Sequence, residues 1–376
     1  MKYLSHWAIA AFVTLLMGCQ GQPVSTPVFH VEGKPNKLGD WQLLSVDSGQ
    51  LVLSDRVVAY DLNTALFSDY AHKLRTVWLP EGSTARYEES ETFDFPVGTI
   101  ISKTFYYPTD GGGAAQIVKA ADTTADRLIN GFNLSEVKLI ETRLLVHREE
   151  GWIALPYVWN EDETEAVLKR VGDIKQLELV DGDHSSEFAY VVPNQNQCAG
   201  CHATNATTRK VAPIGPKSRH LDKDYVYAEG TKNQLTAWQE LGLLGDVPSP
   251  VLTKANARWG DKAASLDERA RSYLDINCSH CHNKAGPADT SGLLLEPTDK
   301  VGPSLGLCKL PIAAGTGTGD RKYGIVPGQP DESIFTYRMK SVIPSEMMPE
   351  LGRSLSHAEG VALIEQWIAE MDGSCG

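Results

Sequence analysis

Ser265-Leu266-Asp267-Glu268-Arg269-Ala270-Arg271-Ser272-Tyr273-Leu274-Asp275-Ile276-Asn277-Cys278-Ser279-His280-Cys281-His282 is the stretch on which the reading of this chain turns. Ser265 and Glu268 have capping-box spacing, and Leu266, Ala270, Tyr273 and Leu274 fall on one helical face, so a helix is predicted to run into Cys278. Cys278-Ser279-His280-Cys281-His282 then matches C-x-x-C-H, the attachment signature of a c-type haem. Two thiols three positions apart can add to the vinyl groups on one edge of a porphyrin, and the adjacent histidine can ligate its iron. Cys198-Ala199-Gly200-Cys201-His202 repeats the pattern upstream. Two covalent haems are therefore expected, one on Cys198 and Cys201 and one on Cys278 and Cys281, with His202 and His282 as iron ligands. Half of a zinc site or a redox dithiol is the other reading of such a motif, and a second copy on an exported chain counts against it.

Export is read from the N-terminus. Lys2 followed by the apolar run Trp7 to Met17, too short to span a bilayer, has the anatomy of a secretory signal. Its end, Leu16-Met17-Gly18-Cys19, resembles the lipobox of bacterial lipoproteins, in which the cysteine is acylated; an ordinary cleaved signal is the alternative. The resemblance implies a signal peptide over 1–18, lipidation at Cys19, and a cell-envelope protein facing the periplasm or cell surface. Gln20 after that cysteine is similar to lipoproteins sent to the outer membrane. The seven cysteines then divide without remainder. Cys19 takes lipid, four take haem, and Cys308 with Cys375 are expected to form a disulfide in an oxidising compartment, with two free thiols as the alternative.

The 376 residues allow two or three domains, and 42% hydrophobic composition without low-complexity tracts indicates a folded chain. The net charge of −13 disfavours nucleic acid and is compatible with a protein partner presenting a basic patch. The expected fold class is multidomain β + α: an N-terminal all-β sandwich or barrel-like domain followed by a mainly α-helical cytochrome c-type haem region. Residues 19–37 read as a tether. Residues 38–192 read as the β-rich domain, with runs such as Leu51-Val52-Leu53, Thr104-Phe105-Tyr106-Tyr107, Leu144-Leu145-Val146 and Phe188 to Val192 as strands. Asp110-Gly111-Gly112-Gly113 and Asp181-Gly182-Asp183 read as turns. Residues 193–260 form the first haem-binding segment and 261–376 the second haem domain. A second capping box, Ser356-His357-Ala358-Glu359, is predicted to open a helix with the stripe Val361, Leu363, Ile364, Trp367, Ile368 and Met371.

Leu66-Phe67-Ser68-Asp69-Tyr70-Ala71, Phe95-Pro96-Val97-Gly98-Thr99, Lys103-Thr104-Phe105, Glu141-Thr142-Arg143-Leu144-Leu145 and Tyr157-Val158-Trp159-Asn160 resemble a domain of uncharacterised bacterial dihaem cytochrome lipoproteins. In that family a haem motif follows the β domain, as Cys198 does here. Residues 261–376 resemble class I cytochrome c, whose N- and C-terminal helices cross. That resemblance implies a sixth iron ligand from Met347-Met348-Pro349, with Met348 in the matching place and Met347 as its rival. Thioether ligation opposite histidine suits a one-electron carrier.

No methionine lies between Met17 and Met339. The first haem therefore lacks a local methionine, and its sixth ligand is left among His220, His184, His147, His72, Met339 reaching across, or nothing. The expected function is lipid-anchored electron transfer in the cell envelope, with a redox partner protein. The alternatives are a haem enzyme, peroxidase-like or substrate-oxidising, at an open first haem, or a β-domain that binds carbohydrate or cell-wall polymer beside redox haems.

Overall fold

The computed structural model describes residues 25–109, 116–120, 132–249, 251, 253–312 and 314–376. The expected signal, Cys19 and the Asp110 to Gly113 turn lie outside the described residues.

The organising element is a six-stranded antiparallel sheet in the spatial order Ala166–Leu168, Gly151–Trp159, Val137–Arg148, Ile100–Pro108, His72–Trp78 and Val58–Tyr60. Alternation along each strand sends side chains to opposite faces. On one face Leu74, Trp78, Ile100, Leu144, Val146, Leu155 and Tyr157 pack beneath Leu38, Trp41, Leu43, Leu44 and Leu51. The other face is divided. At one end Val77 and Ile101 join Leu221, Leu235, Trp238 and Ile276. At the other, Phe105, Tyr107, Ile140 and Val158 meet Leu177, Leu179, Phe188 and Tyr190 from the three-stranded sheet of Gln116–Val118, Asp173–Asp181 and His184–Val192. Between these apolar patches runs a band of charge, Arg75, Lys103 and Arg143, as directly opposed residues on three adjacent strands.

Among the described residues six helices follow: α1 (Gln195–His202), α2 (Ser218–Leu221), α3 (Gln234–Glu240), α4 (Leu266–Leu274), α5 (Ile334–Lys340) and α6 (Ala358–Ala369). They overturn the expected fold class. The chain is 28% strand and 22% helix, a multi-sheet β-rich fold with no helical cytochrome-like region among the described residues. The reason lies in what each segment buries. The segment that carries α1 to α3 adds strands of its own, and Leu244–Gly245 just after α3 pairs in parallel with Ala85–Arg86 in a separate two-stranded sheet. Leu221, Leu235 and Trp238 fill the core of the large sheet instead of a helix bundle. Only α4 and α6 supply a long apolar stripe after residue 260, and they bury it together with Leu295, Leu305 and Ile325 from turns.

Two local expectations are corrected as well. Residues 25–37 do not hang free as a tether: Arg148 Nη2 donates to Gly33 O at 2.7 Å, Tyr157 Oη to Pro35 O at 2.9 Å, and Leu168 N to Asn36 O at 2.8 Å. The Ser356 capping box does not form. Helix α6 starts after His357 without a side-chain cap. Ser356 Oγ donates to Met339 O at 3.1 Å, while Glu359 accepts from Tyr70 Oη at 2.7 Å and pairs with Lys119 at 2.9 Å. By contrast Ser265 and Glu268 do cap α4 reciprocally.

Where α6 crosses α4, Gly360 is required by space. A Cβ there would overlap Tyr273 Oη and lie 2.6 Å from His357 Nδ1. Gly360→Ala is expected to cost about 1–3 kcal/mol through overpacking, seen as a lower urea midpoint. An unchanged midpoint would mean that the crossing yields freely.

Candidate cofactor site

Each C-x-x-C-H motif is set by its own local device. Asn194 opens α1 with a capping box that the sequence reading missed: its Oδ1 accepts from Gln197 N at 2.8 Å, and Gln197 Oε1 accepts from Asn194 N at 2.9 Å. Cys198, Cys201 and His202 therefore lie on one short helix, packed on the strand Gly151–Trp159, where Gln195 Nε2 donates to Ala154 O at 3.2 Å. Cys278, Cys281 and His282 follow α4 through a wider turn, Asp275–Ser279, in which His282 N donates to Cys278 O at 2.9 Å.

The motifs touch. Ala206 N donates to Ala285 O at 2.7 Å, and Cys281 Sγ lies 3.9 Å from Gly200 O. Asp275 ties the second motif to α2 and to Asn256. It accepts both Arg219 nitrogens at 2.8 and 2.9 Å, His220 Nε2 at 2.8 Å, Asn256 Nδ2 at 2.7 Å and Ser279 Oγ at 2.9 Å.

Both motif histidines are held as neutral imidazoles with the proton on Nδ1. Ala212 O can only accept, so His202 Nδ1 carries the proton in their 2.9 Å contact. Ser291 Oγ gives its own proton to Ala288 O at 2.6 Å, so it accepts from His282 Nδ1 at 3.2 Å. In each ring Nε2 is left with its lone pair, the arrangement that outer hydrogen bonds impose on metal-binding imidazoles. Burial, aided by the Lys103 charge, lowers the His202 pKa to about 3, and burial with Arg338 lowers that of His282 to about 4.

The four motif thiols are unbridged, while Cys308 and Cys375 form a disulfide with Cα atoms 5.2 Å apart. Burial raises Cys278 and Cys281 to about 12 and also raises Cys198 and Cys201. A working redox dithiol needs the opposite, a stabilised thiolate. Nor do the motifs converge as a zinc site: among the described residues no group of three or more His, Cys, Asp and Glu side chains is placed to hold a metal ion.

The second motif opens onto a cavity of about 450 Å³, within the roughly 300–1,000 Å³ of small-molecule sites. Cys278, Cys281 and His282 line it, as do Leu293, Leu295, Phe335, Met339 and Met348. Met347 is not part of the wall and is 7% exposed, so the two adjacent methionines have separate surroundings. The Met348 loop is clamped by Arg353, whose Nη2 donates to Met348 O at 2.9 Å and Ser341 O at 2.8 Å. Asp69 holds the next stretch, accepting from Ser354 N at 2.8 Å and Leu355 N at 2.7 Å. Thiols, a neutral imidazole with an open Nε2 and a thioether around one largely apolar space fit a covalently held haem.

Gly200 and Cys201 of the first motif line the same cavity, and charged groups stand near that motif as well. Lys103 lies deep in the molecule near Cys201, His202 and His280; burial, then Arg75 and Arg143, pushes its amine down to about 7. Arg75 pairs with Asp61 at 3.2 Å, and Arg143 forks onto Glu141 at 2.8 and 2.5 Å. Lys103 has no hydrogen bond or ion pair among the described residues.

Of the histidines considered for the first haem, His220 is committed to Asp275, and His184 is exposed at a hairpin end. His147 stacks on Trp152 at 4.5 Å. His72 alternates in phase with Leu74 and Trp78, on the face away from the motifs. His280, inside the second motif, is a further histidine near the first: its Nδ1 is buried with no hydrogen-bond partner among the described residues, and its charge would repel that of His202. The missed cations had one signal in the sequence. Lys103 stands in phase with Ile101 and Phe105, a charge on an otherwise apolar strand face.

No protein-family model, curated protein or solved structure matches this chain.

Proposed function

We propose that this chain carries two covalent c-type haems and passes single electrons in the cell envelope. The observation that carries the reading is one cavity bounded by Cys278, Cys281, an open His282 Nε2 and Met348. A haem held there by Cys278 and Cys281 would supply a one-electron iron couple, with His282 and Met348 as the residues that would ligate it. The chain's part is to hold the imidazole in one tautomer through Ser291, to fix the methionine loop through Arg353, and to keep the surroundings apolar. Contact between the two motifs supports exchange between paired centres within one molecule. Cys19 supports attachment to a membrane by lipid, with the outer membrane favoured by Gln20. The net charge of −13 supports docking by a partner with a basic face and no role with nucleic acid.

Protein produced with c-type maturation is expected to exceed the peptide mass by two haem groups. A colourless product of peptide mass would overturn the reading. In the coloured protein, Met348→Ala is expected to abolish the methionine-to-iron charge-transfer band, whereas Met347→Ala leaves it. Loss of the band in the Met347 variant alone would exchange their roles.

A further inference from the structure

We propose that His357 is a redox-linked proton site: it takes up a proton from solvent by way of Glu359 when the cofactor held at Cys278 and Cys281 is reduced, a role that rests on the haem reading. His357, just before α6, and Tyr273 of α4 both line the cavity that the second motif opens onto. Where the two helices cross, Tyr273 Oη lies 3.0 Å from His357 Nδ1. The phenol oxygen can donate to that nitrogen or accept from it, so the ring can gain its second N–H without losing this partner. On its other side His357 Nε2 faces Glu359 Oε2 at 3.7 Å, too long for a hydrogen bond but within reach of an ion pair once the ring is protonated.

From Glu359 the polar groups continue outward. Its carboxylate accepts from Tyr70 Oη at 2.7 Å and pairs with Lys119 at 2.9 Å, and Lys119 reaches Asp181 at 2.9 Å. The Asp181 side chain is 64% exposed, so a chain of titratable groups runs from the cavity wall to water. The imidazole itself is fixed in place. Phe67 stacks on it at 4.4 Å and Trp259 meets it edge-on at 5.3 Å. Phe67 is tied in turn to the second motif, since its N donates at 2.8 Å to Asn277 Oδ1 in the turn that presents Cys278.

The charges around the ring leave it neutral and ready. Burial lowers its pKa to about 4; Glu359 pulls it up, while Lys73 of the strand His72–Trp78 and Lys119 push it down. Arg353, also on the cavity wall, is spent on Leu355 O at 3.0 Å and Met348 O at 2.9 Å. Asp69, beside Tyr70, is spent on Ser354 N and Leu355 N. Burial holds the Tyr273 phenol far above its usual range, so it keeps its proton. When the partner protein delivers an electron, one positive charge is lost from a poorly solvated space, and a proton gained nearby offsets it. That proton comes from water and forms an N–H bond on His357.

The test uses the holo-protein after its mass has shown two haems, with potentials titrated from acid to mildly alkaline pH. The midpoint potential of the haem whose charge-transfer band depends on Met348 is expected to fall as pH rises on the acid side. The slope should approach a tenfold change in the reduction equilibrium per pH unit, about 59 mV for one electron, and then level off. His357→Gln keeps a polar partner for Tyr273 without titrating, and should flatten the profile. Glu359→Gln should move the slope to lower pH, because the imidazolium loses its carboxylate. A flat profile in the parent, or a slope kept in His357→Gln, overturns the site while leaving the haems in place. Should His357→Gln fail to fold, the Glu359→Gln profile decides, and a slope that has not moved overturns the assignment. Absence of haem by mass overturns the haem reading and this role with it.

Discussion

Asp275→Ala is expected to lower the stability of the folded chain by about 3–5 kcal/mol, the usual cost of removing one partner from a buried ion pair. The guanidinium of Arg219, with 6% of its side chain exposed, would lose both carboxylate oxygens and stay buried beside His220. Asn256 Nδ2 and Ser279 Oγ would lose an acceptor as well. The damage should extend to the second motif, because Asp275 begins the wide turn that presents Cys278. Urea unfolding would show it as a lower midpoint, and a loss below about 1 kcal/mol would sink the argument. Adding Arg219→Met should restore part of the loss, because the orphaned charge goes with it.

The same carboxyl sets a pH dependence. Burial alone would raise its pKa, but the hydrogen bonds and charges of Arg219 and His220 prevail and hold it well below the usual carboxylate range. A folded pKa below the unfolded one contributes stability that is complete above the unfolded value and disappears as pH falls through the folded one. The parent should therefore lose stability in acid more steeply than Asp275→Asn. Parallel acid limbs in the two proteins would contradict the assignment.

Cys308→Ser is the second large effect. Cys308 and Cys375 are 67 residues apart in sequence, and releasing a loop of that length is worth about 4 kcal/mol in the chain-entropy account. The bond ties the chain end to the turns beside the cavity, where Cys308 N donates to Ile325 O at 2.9 Å. Thermal melts of Cys308→Ser, and of the parent under strong reductant, should both fall well below the oxidised parent. If they coincide with it, the crossing of α4 and α6 is held by packing alone.

Much of the local structure was legible because it depends on neighbours in sequence. The Ser265 to Leu274 helix follows from a capping box and an apolar stripe, and it forms as the spacing requires. The β-branched and aromatic runs around Leu51, Thr104, Leu144 and Phe188 lie in strands for the same reason. The expectation of a mainly helical second half failed where local signals had to compete with distant ones. Trp238 and Leu221 could have made a helix-bundle core, but the larger sheet buries them first. Ser356 and Glu359 had the spacing of a cap, yet Met339 O, Tyr70 and Lys119 offered better partners.

By itself the sequence determined the donor chemistry of this protein: two pairs of thiols, each followed by a histidine, because thiol spacing on one backbone turn is a local property. It placed Met348 ahead of its rival Met347 only through a resemblance and gave no reason to associate Arg75, Lys103 and Arg143. Tertiary structure decided those points. Which methionine meets a cavity depends on how the Arg353 clamp folds a loop. Whether three cations stand in a row depends on the register of strands far apart in the chain, which is set by the burial of the whole sheet.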